Sequence, residues 1–247
     1  MSADPVCHVL REDAELGECV DPRRRAQATE ECITRVMSLP SGRSSSDGLM
    51  LPQGGIGLLV LEGLLIRRVG IEGRFGAELL GEGDLLRPWQ DERDTHTLPL
   101  QTGWTVANST RLAWLDEDFI RHLSKYPELA ITLVARAMQR SRHLAVNMAI
   151  VHQARVDVRL HMLFWHLAGR WGRVRRDATV VPLRLTHAVL SDLVAARRPT
   201  VTSALSDLAR RGLVRFSGEE WLLSGDAPAE LLDLNGLSTG TRRTTHL

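Results

Sequence analysis

The amino-acid sequence predicts an α+β chain: an N-terminal β-roll of jelly-roll type, a long dimerisation helix, and a C-terminal winged helix-turn-helix. Three patterns predict it. Short apolar runs punctuated by glycine fill residues 57–115, as in an antiparallel all-β unit. A helical pattern then runs without a breaker from Pro127 past residue 150. Residues 185–214, LTHAVLSDLVAARRPTVTSALSDLARRGLV, read as two short helices joined by a tight turn. The expected divisions are 1–126 (N-terminal helices and roll), 127–153 (long helix), 154–225 (winged helix-turn-helix) and 226–247 (a frayed tail).

Along the chain, residues 1–38 read as helical pieces broken by Pro5 and Pro22, with Pro40 beyond them, and the Ser/Gly-rich stretch 41–55 reads as a loop. Residues 57–61 and 64–66 flank Glu62-Gly63 and read as a hairpin that Arg67, Arg68 and Val69 continue. A second turn, Gly81-Glu82-Gly83-Asp84, separates the runs 75–80 and 85–86, and residues 104–106 and 111–115 supply further strands. Asp116 opens a helical run.

In the long helix, Ala130, Val134, Ala137, Ser141, Leu144, Met148 and Val151 recur at alternating gaps of four and three. Such a heptad seam suits pairing with a second copy of the same helix. Leu129, Leu133, Met138 and Ala145 form another apolar stripe, available for packing on the chain's own β domain. Residues 157–171 predict one more helix, with a hinge near 152–156.

The helix-turn-helix carries the sharpest chemistry. Leu185, Val189, Leu190, Leu193 and Val194 share one face. Thr186 is placed to cap the first helix, and Ala195-Ala196 give a turn of little bulk. Pro199 suits the first turn of the second helix, whose inward stripe is Val201, Ala204, Leu205 and Leu208, and Gly212 ends it. Arg198, Pro199, Thr202, Ser203 and Ser206 point outward. They are short or arginine, so the backbone can approach base edges, and arginine can bond a guanine edge through two donors. Residues 213–216 and 221–223, around the turn Ser217-Gly218-Glu219-Glu220, form a wing, and residues 180–183 offer a third strand.

Composition agrees. The chain has 247 residues, 43% hydrophobic, and a net charge of +1, enough for two ordinary domains. Residues 155–215 nevertheless hold twelve Arg against four Asp, whereas residues 1–154 hold 17 basic and 21 acidic side chains. The C-terminal third is therefore the phosphate-facing part. No run of about 18 apolar residues is present, and the first thirty residues, charged throughout, are unlike a signal peptide. Cys7, Cys19 and Cys32 are too widely spaced for a zinc pattern and fit the reducing cytoplasm. No metal site, cofactor or catalytic motif is expected, and no membrane contact.

Taken in order, these elements resemble the CRP/FNR family of bacterial transcription regulators over residues 54–223. The strongest motif is 185–213; Leu61-Glu62-Gly63 and Leu80-Gly81-Glu82-Gly83-Asp84 resemble the turns of the family's cyclic-nucleotide-type roll. The resemblance implies a homodimer that reads an inverted repeat in double-stranded DNA. It places Arg198, Pro199, Thr202 and Ser203 where bases are read, and Thr186, His187 and Thr200 at phosphates, with Arg197 beside them. It implies dimerisation through Val134, Ala137, Ser141, Leu144, Met148 and Val151, and RNA polymerase as a further candidate partner.

The departures matter too. Many family members have arginine at the Ser203 position, so a different operator is expected. After Gly83-Asp84 the sequence gives Arg87 before a proline, and Arg93 among Asp91, Glu92 and Asp94, which disfavours a phosphate. Tight cyclic-nucleotide binding is not expected, nor an iron–sulfur cluster. An unidentified effector at the roll, a haem ligated by a histidine or cysteine, a winged helix that contacts protein instead of DNA, and an enzyme with a winged-helix appendage remain alternatives.

Overall fold

The computed structural model describes residues 5–42, 44–45, 55–87 and 101–228. They fall into two compact units, Met1–Ala145 and Val146–Leu247. The acidic residues around Arg93, together with Trp89 and most of the expected tail, lie outside the described residues.

The first unit opens with β1 (Val6–His8), three short helices, α1 (Val9–Glu12), α2 (Ala14–Glu18) and α3 (Pro22–Glu31), and then β2 (Ile33–Leu39). The strand β2 corrects the helical reading of this region. Ile33 and Arg35 are exposed while Thr34 and Val36 are buried, the period-two pattern of a half-buried strand; the alternation shifts after Met37, so that Leu39 is buried. There follow β3 (Ser44–Ser45), β4 (Gly57–Ile71), β5 (Arg74–Gly81), β6 (Leu85–Leu86), β7 (Gln101–Leu115) and α4 (Glu117–Leu123). Every pairing is antiparallel, in the order β1-β2-β7-β4-β5, with β3 on β7 and β6 on β4.

The expected hairpin at Glu62-Gly63 is absent. Strand β4 runs straight through it, and its pairing with β7 shifts register at Val60, Glu62 and Leu64. The turn signal marks a bulge instead: Gly63 has φ +100°, and a Cβ there would meet the Ser109 carbonyl at 2.4 Å. The real reversal lies at Glu72-Gly73, both with positive φ, between Ile71 and its partner Arg74. Two residues of positive φ match the right-handed twist of a hairpin. The runs around Trp104 and Leu112 likewise belong to the single strand β7.

One core cluster joins Val9, Leu10 and Leu16 to Leu59, Leu115, Phe119 and Tyr126; a second gathers Leu58, Leu65, Leu80, Trp104 and Leu112. Helix α5 (Pro127–Val151) starts against the first, with Leu129 and Leu133 buried in it and Ala130 partly buried against it.

Ion pairs continue that contact. Arg136 holds Asp13 through two bonds, 2.5 and 2.8 Å, while Asp13 also caps α2 by accepting from the Leu16 N–H. Arg140 holds both oxygens of Glu78, at 2.5 and 3.0 Å, and Glu78 also meets the buried Arg67 at 2.6 Å. The inward face of this part of α5 is thus Leu129, Leu133, Arg136 and Arg140. Met138 and Ala145, expected on that face, are exposed, because they lie across the helix from the buried leucines.

Burial pushes the Cys7 and Cys32 thiols up to about 11, aided by Glu12 and Glu31 respectively. Both are buried and Cys19 is half-buried; all three are free. At pH 8, iodoacetamide is therefore expected to label Cys19 well before Cys7 and Cys32 in the native protein, and all three after denaturation, as read by mass spectrometry. Since the folded thiols ionise later than unfolded ones, their contribution to stability holds below pH 9 and is lost as pH rises towards 11.

The second unit contains α6 (Val156–Trp171), β8 (Arg173–Val174), β9 (Thr179–Val181), α7 (His187–Leu193), α8 (Arg198–Arg210), β10 (Val214–Phe216) and β11 (Trp221–Leu223). Its sheet has the order β10-β11-β9-β8. The wing and its third strand are present; β8, two exposed residues long, carried no periodicity to read. Phe164 of α6 packs on Trp221, with ring centroids 4.6 Å apart, and Phe216 packs on the same ring at 4.8 Å. These contacts seat the sheet on the helices, which fixes the platform for α7 and α8.

Candidate nucleic-acid interface

Helix α7 begins where its cap predicts. The Thr186 side chain accepts from the Val189 N–H at 3.2 Å, satisfying one of the free donors of the first turn. Val189, Leu190 and Leu193 are buried, and Leu185 and Val194 close the same face. The turn follows with Ala195 at φ +49°, a left-handed conformation uncommon for a side chain with a Cβ. Helix α8 then starts with Arg197 as an extended cap residue and Pro199 in its first turn. Val201, Leu205 and Leu208 are buried beneath it.

The opposite face of α8 is open. Arg197, Arg198, Pro199, Thr200, Thr202, Ser203 and Ser206 are all exposed. Among the described residues neither Arg197 nor Arg198 has an ion-pair or side-chain hydrogen-bond partner. Two guanidinium groups therefore stand free at the positive end of a helix, the end suited to an anion.

The hydroxyls behave differently from a simple row of donors. Thr202 donates to the Arg198 carbonyl at 3.1 Å, Ser203 to Pro199 at 3.2 Å and Ser206 to Thr202 at 3.0 Å. With their hydrogens engaged on their own helix, they present oxygens that accept, together with the Thr202 methyl. Such a face suits the amino groups of adenine or cytosine and a thymine methyl.

His187 is half-buried, and its Nδ1 lies 2.9 Å from Thr202 Oγ1. The ring therefore braces α8 from the first turn of α7, with Nε2 on its other side.

The expected site residues thus share one surface: Thr186 and His187 at the start of α7, the remainder at the start of α8. One participant was not foreseen. Arg159 of α6 reaches the turn between the two helices; its place among Val158 and Leu160 was the only signal in the sequence.

Residues 158–234 match the family model of the Crp-like helix-turn-helix domain. The C-terminal part of the chain therefore carries a Crp-like helix-turn-helix domain. Among curated proteins, this chain is 31% identical over 127 residues to the CRP-like cAMP-activated global transcriptional regulator of Mycobacterium tuberculosis. That match takes in 51% of the chain and 57% of the relative's length, so the chain spans little more than half of the relative it matches. Its fold is shared with a cyclic nucleotide-binding domain containing protein from Listeria monocytogenes, at TM-score 0.62 and 14% identity, covering 85% of this chain and 96% of that one. It is also shared with a CooA mutant from Carboxydothermus hydrogenoformans, at TM-score 0.60 and 16% identity, covering 83% and 88%. The chain thus combines an N-terminal β-rich unit with a C-terminal helix-turn-helix, as the sequence predicts.

The α5 positions expected at a dimer interface differ in exposure. Val134, Ala137, Ser141 and Met148 are exposed, and Leu144 and Val151 half-buried. Ile131 and Met138, at 70% and 69% exposure, lie beside Val134 at 59%. The exposed apolar stripe of α5 therefore includes positions 131 and 138 as well as 134. Among the described residues, no helix is long and apolar enough to cross a membrane.

Proposed function

We propose that this chain is a homodimeric transcription regulator that reads an inverted repeat in double-stranded DNA through α8. One observation carries the reading: the free Arg197–Arg198 pair opens a helix whose outward side chains are all small. Arg198, Pro199, Thr202 and Ser203 read base edges; Thr186, His187, Arg197 and Thr200 meet phosphates. A second copy pairs along the exposed stripe of α5, so that two α8 helices enter successive major grooves about 34 Å apart. The working compartment is the cytoplasm, and RNA polymerase is the further partner. The division of labour follows the stretches 1–126, 127–153 and 154–225, with any effector acting at the roll.

Selection from random duplexes, followed by mobility shifts, tests this. Wild-type protein is expected to enrich a palindrome. Arg198→Ala is expected to lose about 1–3 kcal/mol of discrimination at one base position of each half-site. Unchanged operator preference and affinity in that variant would show that α8 is not the reading helix.

A further inference from the structure

Arg159 sits on α6, yet its guanidinium serves two other segments. Its Nε donates to the Gln153 carbonyl at 2.6 Å, in the break between α5 and α6. Its Nη1 donates to the Val194 carbonyl at 3.0 Å and the Ala195 carbonyl at 3.2 Å. Val194 closes α7 and Ala195 is the left-handed residue of the turn. Among the described residues, every hydrogen bond of Arg159 goes to a backbone carbonyl, and none to a carboxylate.

The chemistry of that turn makes the cation consequential. Carbonyls at a helix C-terminus lack intrahelical donors and carry the negative end of its dipole. A left-handed alanine adds strain that its surroundings must hold in place. A single guanidinium supplies donors and charge to both carbonyls. Its planar fork is rigid, so a movement of Gln153 changes the geometry offered to Val194 and Ala195. Those two residues stand three and two positions before Arg197, the cap residue of α8.

We propose that Arg159 is a positioning residue for DNA reading: it fixes the helix-turn-helix turn, and hence the angle of α8, and ties that turn to the α5–α6 break. The inference rests on the reading of α8 as the DNA-recognition helix. It gives Arg159 no contact with DNA, which separates it from a phosphate-binding arginine.

The test compares wild-type protein with Arg159→Met, Arg159→Lys and Arg198→Ala, on the duplex that wild-type protein selects and on an unrelated duplex, over a range of salt. Arg159→Met is expected to weaken operator binding by about tenfold or more, the scale of one lost charged hydrogen bond. Its affinity for the unrelated duplex and its salt dependence should match wild type. Arg159→Lys keeps a cation near the carbonyls and is expected to recover part of the loss; being the milder change, it carries the comparison if the methionine variant does not fold.

Unchanged operator affinity in both Arg159 variants overturns the proposal. So does a salt slope reduced by about one, the mark of a direct phosphate contact. An equal loss on both duplexes without rescue by lysine also overturns it, since that is general damage. An Arg198→Ala defect beside unaltered Arg159 variants sinks this inference alone. Wild-type protein that enriches no sequence sinks the DNA-reading assignment and this inference with it.

Discussion

Introducing glutamate at both Val134 and Met138 is expected to make the protein monomeric and to weaken operator binding about 10²–10⁴-fold, the range over which two linked sites outperform one. Both side chains are largely exposed on α5, so neither supports the core of its own unit and the monomer should keep its fold. Along a paired helix the same positions face their own copies. Four carboxylates brought into one apolar seam then repel and lose hydration, whereas in the monomer they stay in water. Sedimentation velocity reads the oligomeric state, circular dichroism checks the fold, and mobility shifts on full and half sites read affinity. A variant that still sediments as the wild type and binds the full site equally well rules out pairing along this stripe.

The second large effect concerns charge inside the first unit. Glu78→Gln is expected to destabilise that unit by about 3–5 kcal/mol, the scale for breaking a buried ion pair from one side. Glu78 stands between Arg67 and Arg140. Burial pulls the Arg67 pKa down, Glu78 opposes that pull, and Arg140 adds to it. Without the carboxylate, two neighbouring cations remain with less compensation. Urea denaturation followed by a probe in the first unit measures the loss; separate transitions for the two units are to be fitted separately. A change below about 1 kcal/mol would show that the Arg67–Glu78–Arg140 cluster does not hold β4, β5 and α5 together. A triple replacement by apolar side chains of similar volume should recover much of the stability, because no unpaired charge is then left inside.

The helix-turn-helix was the most legible part of the sequence. Thr186, the Ala195-Ala196 turn, Pro199 and Gly212 act through their own backbone neighbourhood, so local rules predict where the helices start and stop. The inward stripe Val201, Leu205 and Leu208 repeats at helical spacing, which leaves Arg198, Thr202 and Ser203 on the other face. The β-roll was legible as a class but not in its connections. Glu62-Gly63 and Glu72-Gly73 look alike as dipeptides, yet one is a bulge and the other a hairpin turn. The difference is the partner: Gly63 lies against Ser109 and Thr110 of β7, from a distant part of the chain. Strand β2 hid for the same reason, since its alternation is short and its pairing partner, β7, is nearly eighty positions away (Val36 opposite Ala113).

Sequence by itself determined the order of the parts, the two helices of the helix-turn-helix with the arginines that open the second, and the length of α5, because caps, turns and periodicity act over a few residues. Only the tertiary structure decided which face of α5 stays open, where the roll reverses, and that Arg159 reaches the turn between α7 and α8. Those outcomes depend on which distant segments meet. Leu129 and Leu133 bury one side of α5 through contacts with the N-terminal helices and the sheet. Arg136 and Arg140 extend that side because Asp13 and Glu78 happen to face them, and a charge pattern read along one helix cannot show where its partners lie.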